Sequence, residues 1–368
     1  MRASSDADEP TGTPAATEPA ASPPPAASWQ SRPAEAPWCP PAVADAFPWA
    51  AAHDDREDVT AATATPPWRL LAASRRGRVH AHHGTHREDA VACASGPWGW
   101  VMAVADGAGS AEWSRVGAAA ACRAAVASVV TRQTADASSR AMSGSTASAG
   151  AAPEGGRDSA TRAMVVEAAH AAVGALDEIA ATAALPPRSL RTTLLVAVMD
   201  RGAEHDTLAV TQVGDGGVLA LGADGTVRLV GEGDGGAYSG EVSCFLPDEG
   251  ARQRADAAAT VLQWDVAAVV LCTDGIEDPF YPLARGGVAL LRQLRDGVDD
   301  PLPGFRQEAR DAVLDAPDPS GALLAWMGFE KRGENDDRSL AIAWRAPMPM
   351  PVPVPVPVPT PVPASRDG

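Results

Sequence analysis

Two short apolar segments, each followed by an Asp-Gly pair, constrain this chain more than any other feature. Residues 99–105 (GWVMAVA) lead directly into Asp106, and residues 267–272 (AAVVLC) lead into Asp274 after one threonine. Each segment is too short for a stable helix and has no polar face, so we predict strands that are buried on both sides. An ionised aspartate at the end of a buried strand is costly unless it is paired or binds a cation. Both aspartates are therefore candidate metal ligands, with hydrogen-bonded turn caps as the alternative.

The remaining segments predict a fold in which helices and antiparallel strands are segregated. Further strands are predicted over 192–199, 207–213, 217–221, 227–230 and 339–344, and helices over 114–132, 163–183, 284–296 and 304–315. The four strands from 192 to 230 are expected to form one meander, because residues 223–225 (ADG) are a typical hairpin turn. The order of elements predicts an α+β domain rather than an alternating parallel sheet.

Composition divides the chain into a central domain and two tails. Residues 1–66 are rich in Ala, Pro, Ser, Thr and acidic residues, and residues 347–363 are almost entirely Pro alternating with Val or Met. Neither can bury enough apolar surface to offset the entropy of ordering. We predict disorder over 1–66 and 347–368, and a domain over 67–346 that folds without them and carries a flexible insert over 133–160. The Pro-Val tail favours polyproline II and offers a ligand to a polyproline-binding partner, with a passive spacer as the alternative.

The charge balance bears on the possible partners. With 47 acidic residues and 30 lysines and arginines, the net charge is −17. This field argues against nucleic acid and against an anionic membrane surface as partners, and it favours cations. The five cysteines are scattered without a C-x-x-C pair, and neither an apolar leader nor a membrane-length apolar stretch occurs. These features favour a cytoplasmic location.

Three further acidic sites lie beside predicted strands. Taken alone, each favours a turn or a helix cap. Together with the two aspartates above, they give one domain several acidic strand ends, and oxygen ligands from separate strands are what a hard divalent cation requires. The three sites are Glu88-Asp89, Asp215 and Asp336-Asp337.

Six motifs that contain these residues occur in a fixed order along the chain. They are HREDA (86–90), VADGAGSA (104–111), RTTLLVAV (191–198), TQVGDGG (211–217), LCTDGIED (271–278) and NDDRSLAI (335–342). Together they resemble the metal-dependent protein phosphatases of type 2C, the PPM family, and most of all its divergent bacterial branch with an ADGAGSA signature. The resemblance covers about residues 70–345. It implies an αββα sandwich, in which two antiparallel sheets are flanked by helices.

The resemblance also implies a site for two Mn²⁺ or Mg²⁺ ions. Asp106 would bridge both ions, and the Gly107 carbonyl would be a further ligand. Asp274 and Asp336 would complete the coordination of the first ion. A hydroxide activated by the two ions would attack phosphorus in line, which makes Asp106, Asp274 and Asp336 the implied catalytic residues.

The other acidic residues have supporting roles in the same resemblance. Glu88 and Asp89 would hold the waters of the second ion, and Asp215 together with Asp274 could hold a weaker third ion. The implied substrate is a protein that carries phosphoserine or phosphothreonine, so the chain would oppose a Ser/Thr kinase system.

Three departures from the family pattern support a second hypothesis. The family usually has a phosphate-clamping arginine where this chain has Gly84, and a histidine often assigned as general acid where this chain has Ala108. The final Asp-Asn of the family reads Asp336-Asp337 here. The alternative is therefore a catalytically weak or inactive module that binds phosphoproteins.

Histidines are concentrated just before the HREDA motif. Four of the seven histidines lie within residues 80–86. A zinc cluster is one interpretation, although the usual Cys or carboxylate spacing is missing, and a solvated loop is another. Because Gly84 cannot clamp phosphate, we predict phosphate contacts from His80 and His83, with Arg115 and Arg87 as rival cations.

Overall fold

Two antiparallel sheets pack face to face, and helices cover the outer surface of each. The computed structural model describes residues 31–51, 58–142, 154–202, 205–231, 244–299 and 302–352. The strands are β1 (Asp58–Thr65), β2 (Trp68–Arg75), β3 (Ala90–Gly96), β4 (Gly99–Ala105), β5 (Leu194–Asp200), β6 (Thr207–Val213), β7 (Gly217–Gly222), β8 (Val227–Leu229), β9 (Thr260–Val261), β10 (Val266–Cys272), β11 (Phe305–Arg306), β12 (Glu330–Lys331) and β13 (Arg338–Arg345). The helices are α1 (Pro41–Ala46), α2 (Pro48–Ala51), α3 (Arg78–His83), α4 (Ser114–Met142), α5 (Glu154–Thr182), α6 (Ala251–Ala258), α7 (Asp274–Glu277), α8 (Leu283–Asp296) and α9 (Pro319–Trp326).

The strand order confirms the expected α+β sandwich. The larger sheet has the order β1-β2-β13-β10-β7-β8, and the smaller sheet has the order β3-β4-β5-β6-β9. Every neighbouring pair in both sheets is antiparallel. β11 and β12 form a separate two-stranded ribbon.

The central strands are buried on both faces because each lies between a helical layer and the opposite sheet. In β4, Trp100 and Met102 belong to the core between the sheets, whereas Val101 and Ala103 belong to the core under the helices. β10 alternates in the same way between the core between the sheets and the core under the other helices. This arrangement explains the uninterrupted apolar segments and confirms the strand predicted in each of them.

Different side chains attach the two helical layers. α4 and α5 pack on the smaller sheet largely through alanines, such as Ala121 and Ala172, which are fully buried. α8 packs on the larger sheet with Leu290, Leu291 and Leu294, which are spaced so that they share one face of the helix. Among the residues that the structure describes, no helix is long and apolar enough to cross a bilayer.

The predicted single meander over residues 192–230 is wrong, because its strands are divided between the two sheets. β5 and β6 lie in the smaller sheet, and β7 and β8 lie in the larger one. The chain crosses between them at Asp215, where Gly214 and Gly216 both have φ of 90°. A Cβ on Gly216 would lie 2.6 Å from the Cys272 carbonyl oxygen. Short buried strands look alike in sequence, so the pattern does not identify the sheet that each one joins.

The predicted helix over 304–315 is also wrong. Phe305 begins β11, and its ring centroid lies 5.2 Å from those of Phe280 and Phe329. This aromatic packing joins distant segments and overrides the local pattern. The helix of this region is α9, which the sequence analysis missed.

The prediction of a disordered N-terminal tail is wrong for residues 31–51 and 58–65. β1 pairs with β2 along its whole length and forms the edge of the larger sheet. Val43 of α1 and Ala50 of α2 are buried against the core beneath α4 and α5. A segment of low hydrophobicity can order when the domain offers a sheet edge and an apolar surface. Residues 1–30 lie outside the described residues.

The predicted flexible insert and the predicted C-terminal tail both start at positions where the chain is still part of the folded domain. α4 continues to Met142 and α5 begins at Glu154, so only residues 143–153 of the predicted insert lie outside the described residues. After the last strand, the Val352 N–H donates to the Gly225 carbonyl oxygen at 2.8 Å. Residues 353–368 lie outside the described residues.

A chain trimmed to residues 67–346 is expected to be less stable than one that spans residues 31–352. Trimming removes β1, one of the two strands that pair with β2, and exposes the surface that Val43 covers. Burying one such side chain contributes about 1.5–3 kcal/mol. We expect the Tm to fall by at least about 5 °C in thermal unfolding followed by circular dichroism. Equal Tm values would show that these segments contribute no stability.

Candidate metal centre

The turn that follows β4 is held by hydrogen bonds to residues just before β5. Thr193 Oγ1 accepts from the Asp106 N–H at 2.9 Å, and the Thr193 N–H donates to the Asp106 carbonyl oxygen at 2.8 Å. The Thr192 hydroxyl donates to the same carbonyl oxygen at 2.7 Å. A Cβ on Gly107 would lie 2.7 Å from the Glu88 carbonyl oxygen, so this position needs glycine. The motifs VADGAGSA and RTTLLVAV therefore form one support that fixes Asp106.

The ends of β10 and β13 are tied to the residues that precede β3. The Thr273 hydroxyl donates to Asp89 Oδ2 at 2.9 Å and accepts from a backbone N–H of β13 at 3.1 Å. Asp274 follows at the start of α7. A Cβ on Gly275 would lie 1.8 Å from the Asp337 carbonyl oxygen, so these strand ends meet too closely for a side chain. The close contact brings the acidic residues of three motifs to one place.

Asp337 is the structural anchor of this region. Its side chain is buried, and its two oxygens accept hydrogen bonds from the N–H groups of Gly77 and Glu88, each at 2.6 Å. His80 Nδ1 lies 2.9 Å from Asp337 Oδ1. One carboxylate thus connects the segment before α3, α3 itself and the HREDA motif. Sequence analysis identified the Asp-Asp pair but missed this role.

The gathered carboxylates resist ionisation. Burial, together with the charges of Asp89 and Asp274, raises the pKa of Asp106 well above its ordinary value. Burial also raises the pKa of Asp89. Burial and the neighbouring charge of Asp336 raise the pKa of Asp274 to about 8. A divalent cation would relieve this repulsion, and a set of carboxylate oxygens suits Mg²⁺ or Mn²⁺. The donor chemistry therefore fits the group that the sequence analysis implied.

The structure places the predicted ligand residues near one another, and two further acidic residues, Glu277 and Asp278, lie beside them. The predicted residues are Glu88, Asp89, Asp106, Gly107, Asp274 and Asp336, with Asp215 beside Asp274. Sequence reasoning missed Glu277, whose pKa is raised to about 7 by burial and by the charges of Asp278 and Asp215. The LCTDGIED motif contained the signal, because residues three apart share one side of a helical turn.

His80 lines a cavity of about 360 Å³ together with Asp274 and Asp336, and this cavity is the acidic cleft. Potential ligand atoms of His80, Asp336 and Asp337 also lie within 4.8 Å of one another. Burial lowers the pKa of His80, but Asp337 and, more weakly, Glu88 and Asp336 outweigh that effect and raise it to about 9. In the metal-free protein the imidazole is therefore a cation at neutral pH.

The other predicted phosphate contacts are placed differently. His83 is exposed at the end of α3. Arg115 Nε donates to the Trp38 carbonyl oxygen at 2.6 Å, and one of its Nη atoms donates to the Pro37 carbonyl oxygen at 2.9 Å. Arg87 is buried and donates to a serine hydroxyl of β2 at 2.6 Å. Of the proposed phosphate contacts, His80 is the one that lines the acidic cleft.

The metal-free protein is expected to lose stability as the pH rises from about 6.5 to about 8. Folding raises the pKa of Asp274 to about 8 and that of His80 to about 9. Groups with a raised pKa stabilise the fold below their unfolded pKa, about 4 for Asp and about 6.5 for His, and this stabilisation is lost as the pH rises through the folded pKa. Both contributions therefore decline together in this interval. Urea unfolding in EDTA measures the effect, and Mn²⁺ should flatten it by favouring the ionised carboxylates. Constant or rising stability in EDTA would contradict the prediction.

The protein phosphatase 2C family model matches residues 76–301. Among solved structures, the chain is similar to the Mycobacterium tuberculosis serine/threonine phosphatase PstP/Ppp, with 17% identity and a TM-score of 0.42 over 75% of this chain and 98% of that one. It is also similar to the serine/threonine phosphatase Stp1 from Staphylococcus aureus, with 11% identity and a TM-score of 0.41 over 78% of this chain and 94% of that one. No curated protein matches the chain. Because the family model spans more than half of the sequence, the chain belongs to the protein phosphatase 2C family.

Proposed function

We propose that this chain is a metal-dependent protein phosphatase that hydrolyses phosphoserine and phosphothreonine. The observation that supports the proposal most is the convergence of carboxylates from both sheets on one cleft, where burial and mutual repulsion raise the pKa values of Asp106 and Asp274. Such a cluster is unfavourable for folding on its own and favourable for cation binding. Its substrate would be a phosphorylated protein, and its cellular role would be to oppose a Ser/Thr kinase.

The chain's own residues would bind and orient the reacting groups. Two divalent ions and a weaker third would supply acidified water and offset the charge on the phosphoryl oxygens. Asp106, Asp274 and Asp336 would hold the ions, with the Gly107 carbonyl as a further ligand. The supporting carboxylates Glu88, Asp89 and Asp215 would hold their waters. The Thr193 contact with Asp106 fixes the backbone at Asp106, so its carboxylate would need little reorganisation to hold an ion.

A specific observation favours a weaker second candidate, the phosphoprotein-binding module with little turnover. Gly84 has φ of 68° and ends α3, so a side chain at this position would be strained. A Cβ there would lie 3.2 Å from the Pro33 carbonyl oxygen, and the Glu35 N–H donates to the Gly84 carbonyl oxygen at 3.4 Å. The N-terminal segment therefore covers the place of the family's usual arginine. Phosphate would be clamped by another cation or only weakly.

Hydrolysis of p-nitrophenyl phosphate by the full chain distinguishes the two candidates. A phosphatase should show turnover that depends on Mn²⁺ or Mg²⁺ and that EDTA abolishes. It should then release phosphate from phosphoserine and phosphothreonine peptides. Binding of these peptides without turnover at saturating Mn²⁺ would contradict the phosphatase and favour the binding module.

Replacing His80 by Gln is expected to raise the KM for p-nitrophenyl phosphate about tenfold. The substitution removes a cation that can donate a charge-assisted hydrogen bond to a bound dianion. Because His83 is exposed, His83→Gln should have a smaller effect. Mn²⁺ titration separates this effect from weaker metal binding, since the apparent metal affinity should change little. An unchanged KM in His80→Gln beside a large rise in Arg115→Gln would assign the clamp to Arg115.

A further inference from the structure

A second cavity, lined by four arginines, lies on the other side of the turn that carries Asp336. Its volume is about 230 Å³, well above the roughly 30 Å³ of a single water. Asp336 lines both this cavity and the acidic cleft. The two cavities are therefore adjacent and differ in charge. The four arginines are Arg75, Arg76, Arg78 and Arg338.

Backbone carbonyl groups hold three of these arginines in place. Arg76 donates to the carbonyl oxygens of Arg32 and His80 at 2.9 and 3.1 Å. Arg75 donates to the Leu324 carbonyl oxygen at 2.6 Å, and Arg338 donates to those of Met327 and Phe329 at 2.6 and 2.5 Å. The Arg338 guanidinium also lies over the Phe329 ring, 3.9 Å from its centroid. Guanidinium groups held in this way lose little entropy when they bind an anion.

Arg338 retains unused hydrogen-bonding capacity. Its side chain is 7% exposed, and its buried Nε has no hydrogen-bond partner among the described residues. Burial and the nearby charges of Arg78 and Arg75 lower its pKa to about 10. Like charges in one cavity are unfavourable, and a bound anion would relieve this repulsion.

Two carboxylates, those of Glu330 and Asp336, lie beside these arginines. Glu330 forms an ion pair with Arg78, and both side chains are substantially exposed, at 45% and 36%. An exposed ion pair contributes little and can exchange partners. Asp336 faces the acidic cleft as well, where the proposed function assigns it to a metal ion. A planar guanidinium fork matches the oxygens of phosphate.

We propose that this arginine cavity binds a second phosphate group of the substrate protein, next to the phosphate that is hydrolysed. The proposal rests on the proposed function for the identity of the substrate. Because the two cavities share Asp336, one short phosphorylated segment can reach both. The chain would thus favour substrates with two neighbouring phosphorylated residues over singly phosphorylated ones.

Binding to the metal-free full chain tests the cavity independently of catalysis. Isothermal titration calorimetry in EDTA would compare a peptide with one phosphoserine and the same peptide without phosphate, because the metal-free acidic cleft repels phosphate and leaves the arginine cavity as the phosphate site. We expect the phosphorylated peptide to bind about tenfold more tightly, because charge-assisted contacts to phosphate are strong. Arg78→Gln should remove this difference, whereas Glu330→Gln should increase it, because Glu330 competes for Arg78. If the ion pair between Arg78 and Glu330 only stabilises the fold, both variants should change the affinity difference in the same way.

Two further variants control for charge and position. Arg228→Gln removes one positive charge at Arg228, which stacks on Trp264 and lies outside the cavity, so it should leave the difference unchanged. Gly328→Ala removes no charge, but a Cβ there would lie 2.8 Å from an Arg75 Nη atom and should displace that guanidinium. The difference should therefore fall in Gly328→Ala. Equal affinity for both peptides in the wild-type chain would overturn the proposal, as would identical effects of Arg78→Gln and Glu330→Gln.

The Mn²⁺-loaded chain then separates this proposal from the proposed function. The kcat/KM for the doubly phosphorylated peptide should exceed that for the single one about tenfold, and Arg78→Gln should reduce this ratio to near one. Absence of any hydrolysis would contradict the phosphatase, while the calorimetric difference would still support the cavity. Hydrolysis without selectivity and without a binding difference would overturn the cavity alone.

Discussion

Replacing Asp106 or Asp274 by Asn is expected to reduce Mn²⁺-dependent turnover at least about a thousandfold while the protein stays folded. An amide keeps the shape of the side chain but removes the charge that attracts the cation. The loss corresponds to about 4 kcal/mol of transition-state stabilisation, which is in the range that metal ions supply. Steady-state hydrolysis of p-nitrophenyl phosphate, with circular dichroism of each variant, measures the effect.

The same substitutions should not destabilise the metal-free chain. The pKa values of both aspartates are raised by burial and by neighbouring carboxylates, so a neutral amide relieves repulsion. Asp256→Asn is a matched control, because Asp256 is half-exposed and lies 2.8 Å from His170 on the protein surface. Its activity should equal that of the wild type. Near wild-type turnover in Asp106→Asn or Asp274→Asn would overturn the metal assignment.

Replacing Asp337 by Ala is expected to lower the free energy of unfolding by about 3–5 kcal/mol. The change leaves the N–H groups of Gly77 and Glu88 without acceptors and removes the partner of a charged His80. Asp337→Asn should cost less, about 1–3 kcal/mol, because one oxygen remains while the new NH₂ faces an N–H donor. Urea unfolding in EDTA measures both values.

A double-mutant cycle isolates the role of His80. If the two side chains interact as the structure indicates, His80→Ala should cost less in the Asp337→Ala background than alone. Asp315→Ala controls for the loss of a carboxylate, because the Asp315 side chain is 77% exposed and lies 3.9 Å from Arg69. Its cost should stay below about 1 kcal/mol. Additive effects of the His80 and Asp337 substitutions would contradict the proposed coupling.

Particular residues show how far local sequence goes in predicting this site. The apolar segments before Asp106 and Asp274 identify buried strand ends, and the burial of charge at such ends points to a cation without knowledge of the fold. The same reasoning gives no distinction between Asp336 and Asp337. The structure separates them. Asp336 is exposed to the cleft, whereas both carboxylate oxygens of Asp337 accept hydrogen bonds from backbone N–H groups.

For the N-terminal segment, in contrast, local sequence gives the wrong prediction. Its composition predicts disorder, yet β1 adds to the edge of the larger sheet and residues 31–51 cover Gly84 and engage Arg115. Composition measures only what a segment can bury by itself. It does not include the surface that a folded domain supplies.

Sequence by itself determined the α+β class and the two buried strands that end at Asp106 and Asp274, because periodicity and burial of charge act over a few residues. Only the tertiary structure decided the sheet that each strand joins, the anchoring role of Asp337 and the meeting of Arg75 and Arg78 with Arg338. Those arrangements depend on contacts between segments that are distant in sequence, up to 260 residues for Gly77 with Asp337. A contact at that distance leaves no local period in the chain, since its energy arises only when both sheets have formed.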